Sequence, residues 1–194
     1  MISLEGDRVS LRPLQPDELE TVWEARLTDD TAPWMSTPQA YERLKQRVAN
    51  SGHFVDGWLD LGIECDGRLV GEIDARQPPR SMPQGVYELG ISLFETSDRG
   101  RGLGTDAIRL LTRYLFEHEE AARVQASTWV ENTAMRRVFE KLGFTQEGVL
   151  RSFMPSARGR DDYVMYAITE GELAGDSVTS WSSVQARWAA GSRR

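Results

Sequence analysis

The 194-residue chain has little of several residue types. It contains one cysteine, Cys65, and two histidines, His53 and His118, so it can form no internal disulfide and offers no ligand set for a structural zinc site. No apolar run approaches the roughly 18 residues that span a membrane, and the first residues lack the basic and apolar segments of a signal peptide. We therefore expect a cytoplasmic protein with no membrane partner and no metal.

A surplus of positive charge is also absent, because 23 Lys and Arg residues face 30 Asp and Glu residues and the net charge is −7. Such a chain is not attracted as a whole to phosphate backbones, so nucleic acid is not an expected partner. Any anion site must be built locally. The length suits one domain, since domains usually span roughly 100–200 residues.

Hydrophobic periodicity predicts a mixed α/β domain over residues 1–170. The predicted strands are 8–14, 58–65, 68–75, 86–94, 123–130, 144–154 and 162–168. The predicted helices are 17–28, 37–50, 103–118 and 131–143. Asp66 and Gly67 predict a type I′ turn between the second and third strands. The tail, 171–194, fits either a docked amphipathic helix or partial disorder.

A glycine-rich turn, RGRGLGT at 99–105, precedes the third predicted helix. Its glycines let backbone N–H groups approach a ligand, the helix N-terminus favours a phosphate, and Arg99 and Arg101 add positive charge. We therefore predict a pyrophosphate cradle. A glycine-rich connection with solvated arginines is the alternative. Residues 102–107 also fit the dinucleotide pattern GxGxxA, but ETSDR at 95–99 separates the strand from the glycines. No GKS or GKT ends the turn, as it would in a kinase-type P-loop.

Residues 99–104, RGRGLG, match the acetyl-CoA signature of the GCN5-related N-acetyltransferase (GNAT) superfamily: Gln or Arg, two residues, Gly, one residue, then Gly or Ala. Downstream, NTAMRRVFEKLGF at 132–144 and EGVLR at 147–151 resemble the second block of its ribosomal-protein N-terminal acetyltransferase-like (RimJ/RimL-type) branch. The resemblance covers roughly residues 2–170. It implies a mixed, mostly antiparallel seven-stranded sheet, flanked by helices and splayed at its two central strands.

The resemblance implies that acetyl-CoA is the co-substrate and lies between the strands at 86–94 and 123–130. Its pyrophosphate would meet the turn, and its pantetheine arm would pair with the first of these strands. The implied cofactor-binding residues are Leu93, Phe94, Arg99, Arg101, Gly102, Leu103, Gly104, Thr105, Asn132, Met135 and Phe139. Asn132 also stands where a strand gives way to a helix, so its side chain can equally be an N-cap, and the two roles are compatible.

Acetyl transfer to an amine needs a neutral amine, a donor for the oxyanion and an exit for the thiolate. Glu88, beside the implied cofactor strand, is the candidate general base, with a solvated or paired glutamate as the alternative. A backbone N–H near Leu93 is the expected oxyanion donor. Family members often carry Ser or Tyr near the sulfur, but those positions here are Met135 and Phe139, which cannot donate a proton. We expect them to form an apolar wall of the channel, or else to fill the core.

Trp34 and Met35, in a Pro-containing loop, are candidate acceptor-binding residues, with core packing of Trp34 as the alternative. The expected acceptor is a primary amine on a small molecule or a protein N-terminus, and a monomer or homodimer is expected. The leading hypothesis is an acetyl-CoA-dependent amine N-acetyltransferase. The alternative is a non-catalytic acyl-CoA-binding or regulatory module, which the absence of an evident general acid keeps open.

Overall fold

An eight-stranded mixed sheet organises the protein in a computed structural model that describes residues 1–28, 37–156 and 159–175, with side chains to residue 172. Its strands are β1 (Leu4–Glu5), β2 (Ser10–Arg12), β3 (Trp58–Cys65), β4 (Arg68–Arg76), β5 (Val86–Leu93), β6 (Arg123–Trp129), β7 (Thr145–Ser156) and β8 (Gly159–Thr169). The sheet has one strand more than the predicted seven because Leu4–Glu5 folds back on Ser10–Arg12 as an edge strand.

The strands follow the order β1-β2-β3-β4-β5-β6-β8-β7, and only β5 and β6 pair in parallel. Antiparallel hairpins dominate because short turns join neighbouring strands. Asp66 (φ 52°) and Gly67 (φ 74°) both adopt the positive φ that a type I′ turn requires, as predicted. Parallel pairing of β5 with β6 covers just three positions, Val86–Glu88 against Arg123–Gln125. Beyond them the two strands diverge, which confirms the predicted splaying.

Helices cover both faces of the sheet. They are α1 (Leu19–Leu27, after a 3₁₀ turn at Pro16–Glu18), α2 (Pro38–Ala49), α3 (Leu103–His118), α4 (Thr133–Lys141) and α5 (Glu170–Gly175). The start of α2 follows from its sequence, since Thr37 Oγ1 accepts a hydrogen bond from the Ala40 N–H at 3.2 Å and Pro38 fills the first turn. None of the described helices is long and apolar enough to span a bilayer.

The two faces of the sheet differ in polarity. The main core lies under α3 and α4, where odd-numbered residues of β3 such as Leu59 and Leu61 and of β4 such as Ile73 are almost fully buried. A smaller apolar cluster under α1 and α2 contains Val22 and Leu44. On the face toward α2, the paired segments 58–62 of β3 and 72–76 of β4 carry the charged side chains Asp60, Glu72, Asp74 and Arg76. This polar face borders the site described next.

Candidate functional site

The divergence of β5 from β6 leaves an opening between two adjacent strands. Its vertex is the last paired position, Glu88 opposite Gln125. From there β5 runs on to Leu93 and β6 to Trp129 without pairing to each other. Unpaired strand edges that face each other expose N–H and C=O groups, which an extended ligand can use as an added strand does.

The glycine-rich turn lies at the far end of β5, at the start of α3. Gly100 and Gly102 have φ values of 74° and 84°, a left-handed conformation that is costly for residues with a Cβ. Gly102 is the N-cap of α3 and brings no capping side chain. The backbone conformation by itself therefore accounts for glycine at these two positions.

Gly104 differs, because no protein atom requires glycine there. A Cβ at this position would meet only Ile91 Cδ1 at 3.8 Å and Leu93 Cδ1 at 3.9 Å, which is ordinary contact. The first-turn N–H groups of Leu103, Gly104 and Thr105 donate to no acceptor among the described residues. The turn thus combines free donors, the positive end of a 16-residue helix and open space, a combination that fits a phosphate group.

Arginines surround this turn. Arg101 Nη1 donates to Asp98 Oδ1 at 2.8 Å, and Arg68 Nη2 contacts both oxygens of the same buried carboxylate at 2.8 Å. The hydrogen bond from Arg68 lowers the pKa of Asp98. Arg8, which sequence reasoning did not single out, places its Nε 3.3 Å from where a Cβ of Gly102 would lie. Its position could not be read from the sequence because Arg8 reaches the turn from the β1–β2 hairpin.

The backbone of β5 is oriented for the expected oxyanion donor. The Phe94 N–H, just after β5, donates to Val70 O of β4 at 3.0 Å. Since successive residues of a strand direct their N–H groups to opposite edges, the Leu93 N–H faces the β6 side. Leu93 O accepts from Arg99 Nη2 at 3.5 Å. Leu93 and Arg99, predicted separately, are therefore brought together beside the opening.

Glu88 is a paired carboxylate at the vertex. Its Oε1 accepts from Arg76 Nη2 at 2.8 Å, and its Oε2 accepts from Gln125 Nε2 at 3.4 Å. The Glu88 side chain is 27% exposed, so water reaches it. Glu88 is therefore a paired glutamate, which was the alternative to a general base. The same two hydrogen bonds also hold its carboxylate in the opening.

Three predicted cofactor-binding residues lie at the start of α4 or within it, and their surroundings differ: Asn132, Met135 and Phe139. Asn132 caps the helix, since its Oδ1 accepts from the Met135 N–H at 3.1 Å, while its Nδ2 donates to Thr128 Oγ1 at 3.1 Å. Met135 is partly buried against the main core. Phe139 is 2% exposed and packs against Phe144 and Tyr166 with ring centroids 5.4 and 5.2 Å apart. This burial favours the core role that was left open for Phe139.

A cavity of about 690 Å³ lies on the polar face of the sheet, beneath α2. Gly90, Ile91 and Ser92 of β5 line it, so the strand that borders the opening also borders the cavity. Arginines contribute to its lining from three elements: Arg26, Arg43, Arg47 and Arg76. An equal number of acidic residues balances them: Asp56, Asp60, Glu72 and Asp74. The lining residues that the structure describes therefore carry no net charge. No sequence motif predicted this cavity.

Ion pairs connect most of these charges. Arg26 binds Glu72 through two bonds of 2.9 and 2.8 Å. Arg47 donates from Nε to Asp60 Oδ1 at 2.8 Å, and its guanidinium carbon lies 5.0 Å from the centre of the Trp58 ring. Burial raises the pKa of Asp60 despite this bond. The floor of the cavity is thus a partly buried network of ion pairs.

Trp34 and Met35 lie outside the described residues, as do residues 176–194 of the predicted tail. Among the residues that the structure does describe, no group of three His, Cys, Asp or Glu side chains is arranged to hold a metal ion.

Comparison with known proteins identifies the family. The family model described as an acetyltransferase (GNAT) domain matches residues 8–145. The chain belongs to the GNAT acetyltransferase family. The match contains the splayed strands and the glycine-rich turn, and it confirms the resemblance noted from RGRGLG.

Three proteins named as acetyltransferases or as RimJ illustrate the similarity. The SPbeta prophage-derived uncharacterized N-acetyltransferase YokL of Bacillus subtilis is 24% identical over 171 residues, which cover 87% of this chain and 93% of YokL. The structure of Mycobacterium smegmatis RimJ in complex with CoA-disulfide superposes with a TM-score of 0.72 at 22% identity, covering 89% of each chain. The ribosomal-protein-alanine acetyltransferase of Vibrio fischeri superposes with a TM-score of 0.71 at 17% identity, covering 87% of this chain and 97% of that one. These folds agree with the RimJ/RimL-type branch.

Proposed function

We propose that this GNAT protein transfers the acetyl group of acetyl-CoA to a primary amine by direct attack in a ternary complex. The observation that carries the proposal is the position of β5. Its segment from Gly90 to Leu93 lies between the opening and glycine-rich turn on one side and the 690 Å³ cavity on the other. A cofactor in the opening and an amine in the cavity would meet along this segment.

The turn is proposed to bind the pyrophosphate through the N–H groups of residues 101–105, with Arg99 and Arg101 contributing charge. Leu93 and Phe94 would pair with the pantetheine arm. Asn132 and Met135 would contact that arm from α4, where Asn132 uses its side chain for the cap as well. Phe139 would support this wall from the core.

The thioester supplies an activated acetyl group and a thiolate leaving group. Glu88 accepts a proton from the amine, directly or through water, because only the neutral amine is a nucleophile. The amine nitrogen then bonds to the acetyl carbon while the Leu93 N–H donates to the carbonyl oxygen. The C–S bond breaks, and the surplus proton on the newly acylated nitrogen passes through water to the thiolate, which leaves a neutral amide and free CoA thiol. A thiol with an ordinary pKa of about 8.5 leaves adequately without a protein acid.

The test is amine-dependent release of free thiol from acetyl-CoA, with the acetylated amine identified by mass. A panel containing peptides with free N-termini and small amines covers both acceptor classes. Peptides are included because the V. fischeri protein of the same fold is named as an acetyltransferase for an alanine of ribosomal protein S5. CoA binding without thiol release across the panel would contradict the proposal and leave a non-catalytic CoA-binding module.

A further inference from the structure

Asp74 is the one acidic residue of the cavity floor whose carboxylate is flanked by arginines but hydrogen-bonded by none of the described residues. Arg76 Nε lies 3.2 Å from Oδ2, out of line for a hydrogen bond, and Oδ2 is enclosed without a partner. Arg47 Nη2 lies 3.5 Å from Oδ1. The Asp74 side chain is 21% exposed, and Oδ1 is not among its enclosed atoms. Oδ1 therefore keeps its capacity to accept a hydrogen bond from a group in the cavity.

The missing side chain of Gly90 leaves space for the Asp74 carboxylate. A Cβ at Gly90 would lie 2.6 Å from Asp74 Oδ1, so the carboxylate rests against the bare backbone of β5. Asp74 pairs with Gly90 in the sheet, and Glu88 lies two residues farther from Leu93. At about 3.3 Å per residue, Asp74 is some 7 Å closer than Glu88 to the expected oxyanion donor. Of the described cavity carboxylates that accept no hydrogen bond from the protein, it is the nearest along β5 to where acetyl transfer is proposed.

The charges around Asp74 alternate in sign. Asp60, Arg47, Asp74, Arg76 and Glu88 form a chain in which each member lies within 3.5 Å of the next. This chain carries one net negative charge, so a single ammonium group balances it. An acceptor with three positive charges would place at least two of them against lining residues that carry no net charge and so offer them no net attraction.

We propose that Asp74 binds the acceptor's ammonium group and that the cavity selects an acceptor with one such group over a polycation. This inference rests on the proposed function, since it assigns the cavity to the acceptor. It adds a substrate-binding residue to a site whose proposed base is Glu88. Asp74 is expected to act on acceptor binding, and Glu88 on the rate of the bound complex.

The test compares Asp74→Asn with Asp56→Asn. Both substitutions remove one negative charge from the same cavity, but Asp56 is exposed, in the turn before β3, and outside the charge chain. The probes are triglycine amide, which has one ammonium group, and spermidine, which has three. The lost charged hydrogen bond should raise KM for triglycine amide roughly tenfold to a hundredfold in Asp74→Asn, with kcat changed less. Asp56→Asn should change KM by less than about threefold.

The parent should prefer triglycine amide to spermidine, and this preference should fall in Asp74→Asn. CoA affinity and thermal unfolding establish that each variant is folded. Equal KM changes in the two variants, an unchanged KM in Asp74→Asn, or a preference for spermidine would overturn the inference. If no amine releases thiol, the proposed function fails, and binding of the same probes to the CoA-loaded protein is measured by calorimetry instead. Binding with the stated preference would still support Asp74, while binding of neither probe would overturn it.

Discussion

Replacing Gly104 by valine separates ligand binding from folding more cleanly than any other change in the turn. The protein itself leaves room at this position, since a Cβ meets only two methyl groups at 3.8 and 3.9 Å. Valine is also a slightly better helix former than glycine, by a few tenths of a kcal/mol. The free energy of unfolding should therefore stay within about 0.5 kcal/mol of the parent value.

CoA affinity should fall in the same variant, because the γ-methyl groups would occupy the space above the first-turn N–H groups. Losing one or two charge-assisted hydrogen bonds, at about 1.5–3 kcal/mol each, predicts a Kd at least tenfold higher. Calorimetric titration with CoA gives the affinity, and urea unfolding gives the stability. Gly104→Ala is the graded comparison, with a smaller loss, since the family signature accepts alanine there.

Gly148→Val is the matched control, since Gly148 lies in β7 with no atom within 4 Å of its Cβ position and no positive φ. It should leave CoA affinity unchanged. Gly102→Val should instead lower both affinity and stability, because its φ of 84° is strained for valine and Arg8 lies beside it. Parent-like CoA binding by Gly104→Val would refute the assignment of the turn to the pyrophosphate.

Three other changes test the remaining parts of the site. Glu88→Gln should lower kcat by about 10²–10⁴-fold for an amine that is protonated at the assay pH, and recover as pH rises and the amine deprotonates unaided; an unchanged pH–rate profile would remove Glu88 from the mechanism. Asp98→Asn should flatten the loss of stability between about pH 6 and pH 3, because a carboxyl group with a lowered pKa contributes stability above its unfolded pKa and loses it as pH falls; urea unfolding at both pH values measures this. Phe139→Ala should cost about 3–5 kcal/mol of stability as a buried core aromatic, whereas strong loss of CoA affinity with little loss of stability would restore it to the channel wall.

Local patterns in the sequence were enough to predict most of the elements. The start of α2 at Thr37 and the Asp66-Gly67 turn each depend on neighbours within a few residues, and the structure has both. Phe139 shows the limit of prediction from local patterns. Its spacing from Met135 places both on one face of α4, but only the positions of Phe144 and Tyr166 determine which of them is buried.

The cavity was beyond sequence reasoning for a related reason. Along β4, apolar Ile73 and Ala75 alternate with Glu72, Asp74 and Arg76, which predicts one buried and one solvated face. The charged face is instead covered by α2, whose Arg43 and Arg47 have the spacing of a solvated helix face. The charged faces of β4 and α2 each have the pattern of a solvated surface, and they enclose a cavity because they face each other. The sequence alone does not show which helix covers which strand.

The contrast between the turn and the cavity has a consequence for specificity. The turn is proposed to bind pyrophosphate through backbone N–H groups of consecutive residues, so a short signature is sufficient to specify it and the cofactor is not easily changed. The proposed acceptor cavity is lined by side chains from α2, β3, β4 and β5, each of which can be substituted without altering the turn. Acceptor choice can therefore diverge among proteins that share RGRGLG, and in this chain the proposal places that choice at Asp74, against Gly90.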